Sequence, residues 1–308
     1  MSTLSPALQG APLFERVRSR SKRVRGYVAL TKPRIVELLL VTTLPTMFVA
    51  RRGVPSVTLM VATLAGGALA AGGANAFNMV VDRDIDRVMH RTRHRPLVTG
   101  ELTPTAALVF AVTLELAAFF ELWSVVNLLS ALLAIAATAF YVFVYTMWLK
   151  RTSAQNIVIG GAAGAVPVLV GWAAVTDRLA WPPLVLFAIV FLWTPPHFWA
   201  LAVRYRDDYA AARVPMLPVI APLERTANQI LFYAVALVGT TILFTPVAHM
   251  GWIYTASACV LGAALLGFAL RLRRAATASA AMALFRYSIT YLTLLFVAMA
   301  VDVVVRYH

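Results

Sequence analysis

The chain has 308 residues, of which 61% are hydrophobic and only 13% are charged, so it is too apolar for a soluble globular domain. Its net charge of +14 reflects 27 Lys and Arg residues against 13 Asp and Glu. The basic residues flank apolar runs and form no separate soluble domain, which makes nucleic-acid binding a poor interpretation. The single cysteine, Cys259, excludes an intrachain disulfide and a cysteine-based metal cluster.

Repeated apolar runs of about 18 to 24 residues predict an all-α, polytopic membrane protein. The runs are continuously apolar and do not alternate, which favours helices over a β-barrel. Nine transmembrane helices are expected within one transmembrane domain at 35–308. They cover residues 35–50, 57–81, 104–122, 125–148, 155–175, 181–202, 228–247, 252–270 and 285–305.

Basic residues are concentrated on one side of these spans. Of the 27 Lys and Arg residues, 23 lie in the N-terminal segment and in the loops after spans two, four, six and eight. The positive-inside rule therefore predicts a multi-pass protein of the cell (inner) membrane, with a cytoplasmic N-terminus and His308 outside. Residues 1–34 lack the apolar core of a signal peptide and are expected to form a flexible, basic cytoplasmic tail attracted to anionic lipids.

The entry to span one contains one unusual charge. Thr31 and Pro33 suit a helix cap and a first helical turn, and Glu37 follows inside the apolar run. A carboxylate is costly in lipid, so Glu37 is expected to face the bundle or a polar cavity. The alternative is an interfacial residue that reaches water.

The most informative polar segment ends span two. Asn78, Asp82 and Asp86 are each four residues apart, so on a helix they share one face, whereas Asp84 points elsewhere. Two carboxylates at this spacing repel each other unless a positive group lies between them, and a divalent ion carrying an anionic ligand fits that gap. A solvated helix end at the membrane edge is the alternative, and the spacing alone favours neither.

Basic side chains surround this motif. Five arginines between residues 83 and 95 alternate with the acids, so a diphosphate could be held by metal on one side and by guanidinium groups on the other. Ordinary positive-inside anchoring is the alternative for each arginine and is favoured for Arg87 and Arg93. Lys150 and Arg151, at the end of span four, belong to the same face of the membrane.

A second polar concentration ends span six, between Trp193 and Tyr209. His197 lies within the span, and a lone intramembrane histidine is a functional candidate because of its cost in lipid. A histidine bonded to a neighbouring helix is the alternative. Asp207 and Asp208 cannot share one helical face, so they do not copy the first motif. The two acidic regions bracket a space at the cytoplasmic side.

Taken together, these motifs resemble the UbiA superfamily of intramembrane prenyltransferases and, within it, the heme farnesyltransferases. The first motif is shared across the superfamily, whereas the Pro-Pro-His-Phe-Trp run at 195–199 is typical of the heme branch. The resemblance covers most of residues 27–305. Many superfamily members carry a second Asp-x-x-x-Asp, but here Asp208 is preceded at that spacing by Arg204 and followed by Ala212. This departure argues against a symmetric site with two metals.

The resemblance implies transfer of a farnesyl group from farnesyl diphosphate to a vinyl group of heme B, which gives heme O, with Mg2+ as cofactor. It implies metal binding by Asp82, Asp86 and Asp208, catalytic roles for these three and Asn78, diphosphate binding by Arg91, Arg95, Lys150 and Arg151, and heme contacts by His197 and Trp199. His197 is expected either to ligate the iron or to contact a propionate or the vinyl region.

The implied partners are the two substrates, the lipid bilayer and, transiently, heme A synthase or a terminal oxidase. Two alternatives stay open at this point. One is a prenyltransferase acting on an aromatic quinone precursor, and the other is a membrane protein that handles heme or transports a substrate.

Overall fold

The computed structural model describes residues 13–307, apart from the side chains of residues 13–21, 34, 35 and 37–39. Within that part of the chain every regular element is helical, which confirms the all-α class. The predictions for the Glu37 side chain and for His308 lie outside the described residues. The helices of the first half are α1 (Leu13–Thr31), α2 (Pro33–Arg51), α3 (Val57–Val81), α4 (Arg83–Val88), α5 (Pro96–Thr99), α6 (Pro104–Glu121), α7 (Leu128–Ala139) and α8 (Lys150–Thr152).

The second half continues the same architecture. Its helices are α9 (Asn156–Thr176), α10 (Trp181–Arg204), α11 (Arg206–Ala211), α12 (Leu217–Ile220), α13 (Leu223–Val247), α14 (Trp252–Ala275) and α15 (Ala278–Tyr307). Two π-helical segments, Leu122–Val126 and Phe140–Leu149, extend α6 and α7.

Eight helical stretches of the described chain are long and apolar enough to cross a membrane. They are Val57–Val81, Pro104–Val126, Leu128–Thr152, Asn156–Thr176, Trp181–Arg204, Leu223–Val247, Trp252–Ala275 and Ala278–Tyr307. The chain is therefore a multi-pass membrane protein, although the count is one below the nine expected. The remaining predicted span, 35–50, coincides with α2, part of whose side chains lies outside the described set.

Part of the predicted N-terminal tail, residues 13–31, is helical. Residues 13–31 form α1, whose end packs on α3, α5 and α6. Leu30 is completely buried, and the Tyr27 ring lies 4.9 Å from that of Phe110. The high density of charge in this segment concealed these two apolar anchors, which attach the helix to the bundle.

Close helix packing positions the end of α3. The small residues of α3 pack against α6, and a Cβ atom added at Gly73 would lie 2.6 Å from Oε1 of Glu115. Small residues allow backbones to approach in this way within a membrane. Behind α3, α9 packs on both α2 and α10, while α10 packs on α13 and α15. The largest buried apolar cluster belongs to this second group of helices.

The π-helical segment Phe140–Leu149 reaches the end of α3 from the side. The hydroxyl of Thr146 donates to the carbonyl of Tyr141 at 2.8 Å, and the rings of Tyr141 and Tyr145 stack with centroids 5.4 Å apart. Gly160 of α9 makes room for this arrangement, because a Cβ atom there would overlap the Tyr145 ring. π-Helical segments are frequent at functional sites, and this one ends directly before Lys150.

Candidate functional site: a charged cluster at the end of α3

Asn78, Asp82 and Asp86 lie on one buried face. The amide of Asp82 bonds to the carbonyl of Asn78 at 2.8 Å, and that of Asp86 bonds to the carbonyl of Asp82 at 2.8 Å. Helical register therefore continues from α3 into α4 although Asp82 itself lies between them. The three residues are 3%, 0% and 3% exposed, whereas the side chain of Asp84 is 63% exposed. The face expected from the spacing is present, with Asp84 outside it.

Asn78 connects this face to two other elements. Its Nδ2 donates to Oδ2 of Asp82 at 2.7 Å and to Oγ1 of Thr146 at 3.2 Å. Its Oδ1 accepts a hydrogen bond from Nζ of Lys32 at 2.8 Å. A carboxylate and an ammonium thus fix the orientation of the amide, since one can only accept and the other can only donate.

Each buried carboxylate on this face has a cationic partner. Nζ of Lys150 donates to Oδ2 of Asp82, and Nη1 of Arg95 contacts both oxygens of Asp86 at 2.8 and 2.7 Å. Such pairing is required, because an uncompensated charge is costly in a buried site. One polar atom nevertheless remains unsatisfied: Oδ1 of Asp82 is buried and accepts no hydrogen bond from the described residues.

Lys32 is a site residue that the sequence analysis did not identify. It adopts a left-handed conformation, with φ of 49°, at the junction of α1 and α2, which brings its ammonium to a residue 46 positions away. Burial lowers the pKa of Lys32 to about 7, and the positive charges of Arg95 and Lys150 add to the shift. When Lys32 is charged, the cluster has three cations, Lys32, Lys150 and Arg95, against the two buried carboxylates of Asp82 and Asp86, which suits an anionic ligand.

Thr146 and Asn156 are two further polar residues of interest near Lys150. Thr146 is fully buried and accepts the hydrogen bond from Asn78. Asn156 is also fully buried at the start of α9, and neither atom of its amide is bonded to any described residue. The resemblance to the UbiA superfamily also includes Lys150-Arg-Thr with Asn156, which was the one available signal for Asn156.

Arg151 lies at the exposed edge of the site, where it binds Asp84. Its guanidinium binds both oxygens of Asp84 at 2.7 and 2.8 Å and the carbonyl of Val81 at 3.0 Å. This fork holds the pKa of Asp84 at about 2, below its usual range. Since Arg151 lies 3.8 Å from Oδ1 of Asp82, the structure links it mainly to the exposed acid. Its diphosphate-binding role stays a prediction.

Asp208 organises the loop after α4. Its two oxygens accept hydrogen bonds from the backbone amides of His90, at 3.2 Å, and of Arg91, at 3.1 Å. The guanidinium of Arg91 lies over the ring of Tyr205 at 5.2 Å and approaches the hydroxyl of Tyr209 at 3.5 Å. The second acidic region thereby holds Arg91 beside the first one. Burial raises the pKa of Tyr209, so the phenol stays protonated.

The available carboxylates fit a magnesium ion held by Asp82 and Asp86 better than one held by three acids that include Asp208. In the described chain, no three His, Cys, Asp or Glu side chains are grouped in a way that could hold a metal. Asp208 is occupied by backbone amides, so its metal role stays a prediction. Asp82 and Asp86 supply the one or two carboxylates that magnesium usually binds in addition to phosphate oxygens. The unsatisfied Oδ1 of Asp82 is a carboxylate oxygen that could coordinate such an ion.

His197 and Trp199 lie on α10, and among the described residues neither forms a hydrogen bond or ring contact with this charged cluster. His197 is 7% exposed and stacks between Trp193 and Phe285. Trp199 is 1% exposed and packs against the ring of Tyr233, with centroids 5.5 Å apart. Trp199 therefore serves the core in this structure, and its heme contact stays a prediction.

This chain is similar to known proteins in both sequence and fold. The model of the UbiA prenyltransferase family matches residues 39–298. A curated relative from Paenarthrobacter aurescens, named protoheme IX farnesyltransferase, is 54% identical over 287 residues, which cover 92% of this chain and 90% of the relative. A solved structure described as digeranylgeranylglyceryl phosphate synthase superposes with a TM-score of 0.75 at 15% identity, covering 92% of this chain and 99% of that one.

A UbiA homolog from Archaeoglobus fulgidus, solved bound to DMAPP and Mg2+, superposes with a TM-score of 0.63 at 15% identity and covers 88% of this chain and 99% of its own. At this identity the likeness concerns the fold alone. The fold and the buried charged face define a membrane-embedded prenyltransferase, and the chain belongs to the UbiA prenyltransferase family. Within that family it groups with the protoheme IX farnesyltransferases, as the sequence motifs indicated.

Proposed function

We propose that this protein transfers the farnesyl group of farnesyl diphosphate to a vinyl group of heme B and so forms heme O. The observation that carries the proposal is the buried face of Asn78, Asp82 and Asp86, with Lys150 and Arg95 held against its carboxylates. The relatives that share half of its sequence are named protoheme IX farnesyltransferase, which supports heme as the acceptor.

The main electrostatic requirement of this reaction is stabilisation of the leaving diphosphate. The bond between farnesyl C1 and the diphosphate oxygen breaks, and the diphosphate leaves with the bonding pair. Farnesyl C1 then bonds to the terminal vinyl carbon, whose π electrons form the new bond. The adjacent vinyl carbon takes the oxygen of a water molecule, which releases one proton. A site for this chemistry must stabilise the departing negative charge and shield the electron-deficient carbon.

The charged cluster meets the first requirement. Lys150, Arg95 and Lys32 are cations already held at the site, and Arg91 is positioned beside it by Asp208. They would bind the diphosphate oxygens through charge-assisted hydrogen bonds. Asp82 and Asp86 would hold magnesium, which supplies Lewis-acid stabilisation of the leaving diphosphate. Asn78 keeps the Asp82 carboxylate oriented through its 2.7 Å hydrogen bond.

The surroundings of the cluster meet the second requirement. The stacked rings of Tyr141 and Tyr145 lie on the π-helical segment that reaches Asn78 through Thr146. They add aromatic surface to a site whose carboxylates are almost completely buried. A water-poor, aromatic environment strengthens the electrostatic interactions within it and protects a carbocation-like carbon.

The test is a reconstituted reaction. Purified protein is incubated with heme B, farnesyl diphosphate and magnesium, and the heme is analysed by mass spectrometry. The expected product carries one farnesyl group and one hydroxyl group. Unchanged heme together with prenylation of a hydroxybenzoate or naphthoate would instead identify an enzyme of quinone-precursor prenylation. Flux of heme across proteoliposomes without turnover of farnesyl diphosphate would identify a transporter.

The same proposal includes location and partners. We place the protein in the cell (inner) membrane with its N-terminus in the cytoplasm, because 23 of 27 basic residues lie on that side of the predicted spans. Reporter fusions after Glu101 and after His308 should report cytoplasmic and external positions, respectively. A transient contact with heme A synthase or a terminal oxidase would pass on the product, and cross-linking in native membranes with and without heme tests it.

A further inference from the structure

Ser288 of α15 holds the intramembrane histidine in one orientation. Nδ1 of His197 lies 2.8 Å from Oγ of Ser288, although the two residues are 91 positions apart. Nε1 of Trp193 donates to the carbonyl of the same serine at 2.7 Å. The imidazole is also stacked on Trp193 at 4.2 Å and on Phe285 at 4.6 Å. Both ring faces and one ring edge are therefore fixed by neighbours.

The hydrogen bonds of Ser288 determine which ring nitrogen carries the proton. A hydroxyl has one hydrogen to donate, and Oγ of Ser288 lies 2.7 Å from the carbonyl oxygen of Phe285, which can only accept. With its hydrogen directed at that carbonyl, the serine oxygen is left as the acceptor toward His197. The proton of the neutral imidazole consequently lies on Nδ1, and the lone pair lies on Nε2.

Nε2 is available for a ligand. It forms no hydrogen bond with any residue that the structure describes, and the residue keeps 7% exposure. No carboxylate of the described side chains forms an ion pair with His197. In this tautomer Nε2 can donate its electron pair to a metal ion, but it has no hydrogen to give to a propionate.

We propose that Ser288 is a positioning residue that keeps the Nε2 lone pair of His197 available to coordinate the iron of heme B. The inference rests on the proposed function and selects iron ligation from the three heme contacts that the sequence left open. Hydrogen bonds to the second ring nitrogen set the tautomer and basicity of histidine ligands in the same manner in metal sites generally.

Heme binding without turnover provides the first test. Heme B is titrated into the purified full chain without farnesyl diphosphate, and the visible absorption spectrum is followed. Ser288→Ala should weaken binding about tenfold and alter the spectrum of the bound heme, because the tautomer is no longer fixed. Ser288→Thr keeps a hydroxyl and should retain the parental values. His197→Gln should abolish the spectrum of the histidine complex.

Thr241 provides a matched control on the neighbouring helix. Its hydroxyl lies 2.8 Å from that of Tyr291, one turn along α15 from Ser288, and both partners are buried. Thr241→Val removes a comparable buried hydrogen bond without touching His197, so any general loss of packing should appear there as well. Heme affinity and spectrum should remain unchanged in this variant.

Kinetics separate the inference from the proposed function. Ser288→Ala should raise KM for heme B about tenfold and leave KM for farnesyl diphosphate unchanged. If Ser288→Ala behaves like Thr241→Val, or if His197→Gln keeps the parental spectrum, the inference is wrong while farnesyl transfer by the unmodified protein still stands. If the unmodified protein makes no farnesylated heme from the two substrates, the proposed function itself is wrong.

Discussion

The two polar regions of the molecule, one at the end of α3 and one around His197, accommodate their buried polar groups in opposite ways. At the end of α3, buried carboxylates are neutralised by nearby cations, and Lys32 adds further positive charge. Around His197 the polar atoms are few, uncharged partners fix them, and aromatic rings cover both faces of the imidazole. The first arrangement suits an ionic ligand with metal, and the second suits a flat, largely apolar one.

Helix α9 packs between the two regions. On α9, Gly160 faces the Tyr145 ring on the side of the charged cluster, and Gly161 faces Thr194 of α10 on the side of His197. Adjacent glycines thus let one helix pack tightly against both neighbours. This arrangement supports the proposal that two chemically unlike substrates bind on two faces of one shared helix.

The largest expected effect comes from the carboxylates of the charged cluster. Asp82→Asn and Asp86→Asn should each reduce kcat for heme O formation on the order of 10²- to 10³-fold, because a charged metal donor becomes a neutral amide. The measurement is turnover of the purified variants under saturating magnesium. Asp84→Asn is the matched control in the same helical turn, and its exposed side chain predicts nearly unchanged turnover. Equal losses in all three variants would contradict the distinction between the buried face and its neighbour.

A smaller effect separates the neighbours Lys150 and Arg151. Lys150→Met leaves the fully buried Asp82 without its ion-pair partner and should reduce the free energy of unfolding by about 3 kcal/mol. Arg151→Met removes mainly the ion pair with Asp84, which lies at the surface, and should cost less than about 1 kcal/mol. Thermal unfolding in one detergent measures both variants. A larger loss for Arg151→Met would show that the exposed fork, and not the buried pair, secures the end of α3.

Much of this arrangement was predictable because it depends on local spacing. The continuous apolar runs gave span limits close to those observed, and the four-residue spacing gave the shared face of Asn78, Asp82 and Asp86. Lys32, Thr146 and Ser288 were missed because each acts through a contact with a distant part of the chain. Lys32 depends on a left-handed backbone turn, and Ser288 lies 91 residues from its partner. Periodicity carries no information about such contacts.

The two glycines of α9 should have separable effects. Gly160→Ala forces the Tyr145 ring to move and should raise KM mainly for farnesyl diphosphate, by several fold. Gly161→Ala places a Cβ atom 3.0 Å from Cβ of Thr194 and should act mainly on KM for heme B. Gly164→Ala is the control, since its Cβ atom would meet nothing within 4 Å. Identical changes for both substrates in both variants would show that α9 does not separate the two regions.

The smallest expected effect is a dependence on pH that belongs to the charged cluster alone. Because the pKa of Lys32 is about 7, its ammonium is mostly charged at pH 6 and mostly neutral at pH 8.5 in the free protein. A diphosphate binds the charged form better, so KM for farnesyl diphosphate should rise roughly three- to tenfold as pH increases through this window. The lysine has a lowered pKa, so its loss of charge weakens binding toward high pH and not toward low pH.

Lys32→Arg separates this titration from that of the diphosphate itself. Arginine stays charged throughout the window, so any remaining rise in KM in the variant belongs to the ligand or to other groups. KM for heme B should show no such rise in either protein, since no ion pair of the described side chains involves His197. Parallel pH profiles for the two substrates would mean that the charge on Lys32 does not act on diphosphate binding alone. The charged cluster and the His197 region would then not differ in their dependence on this residue.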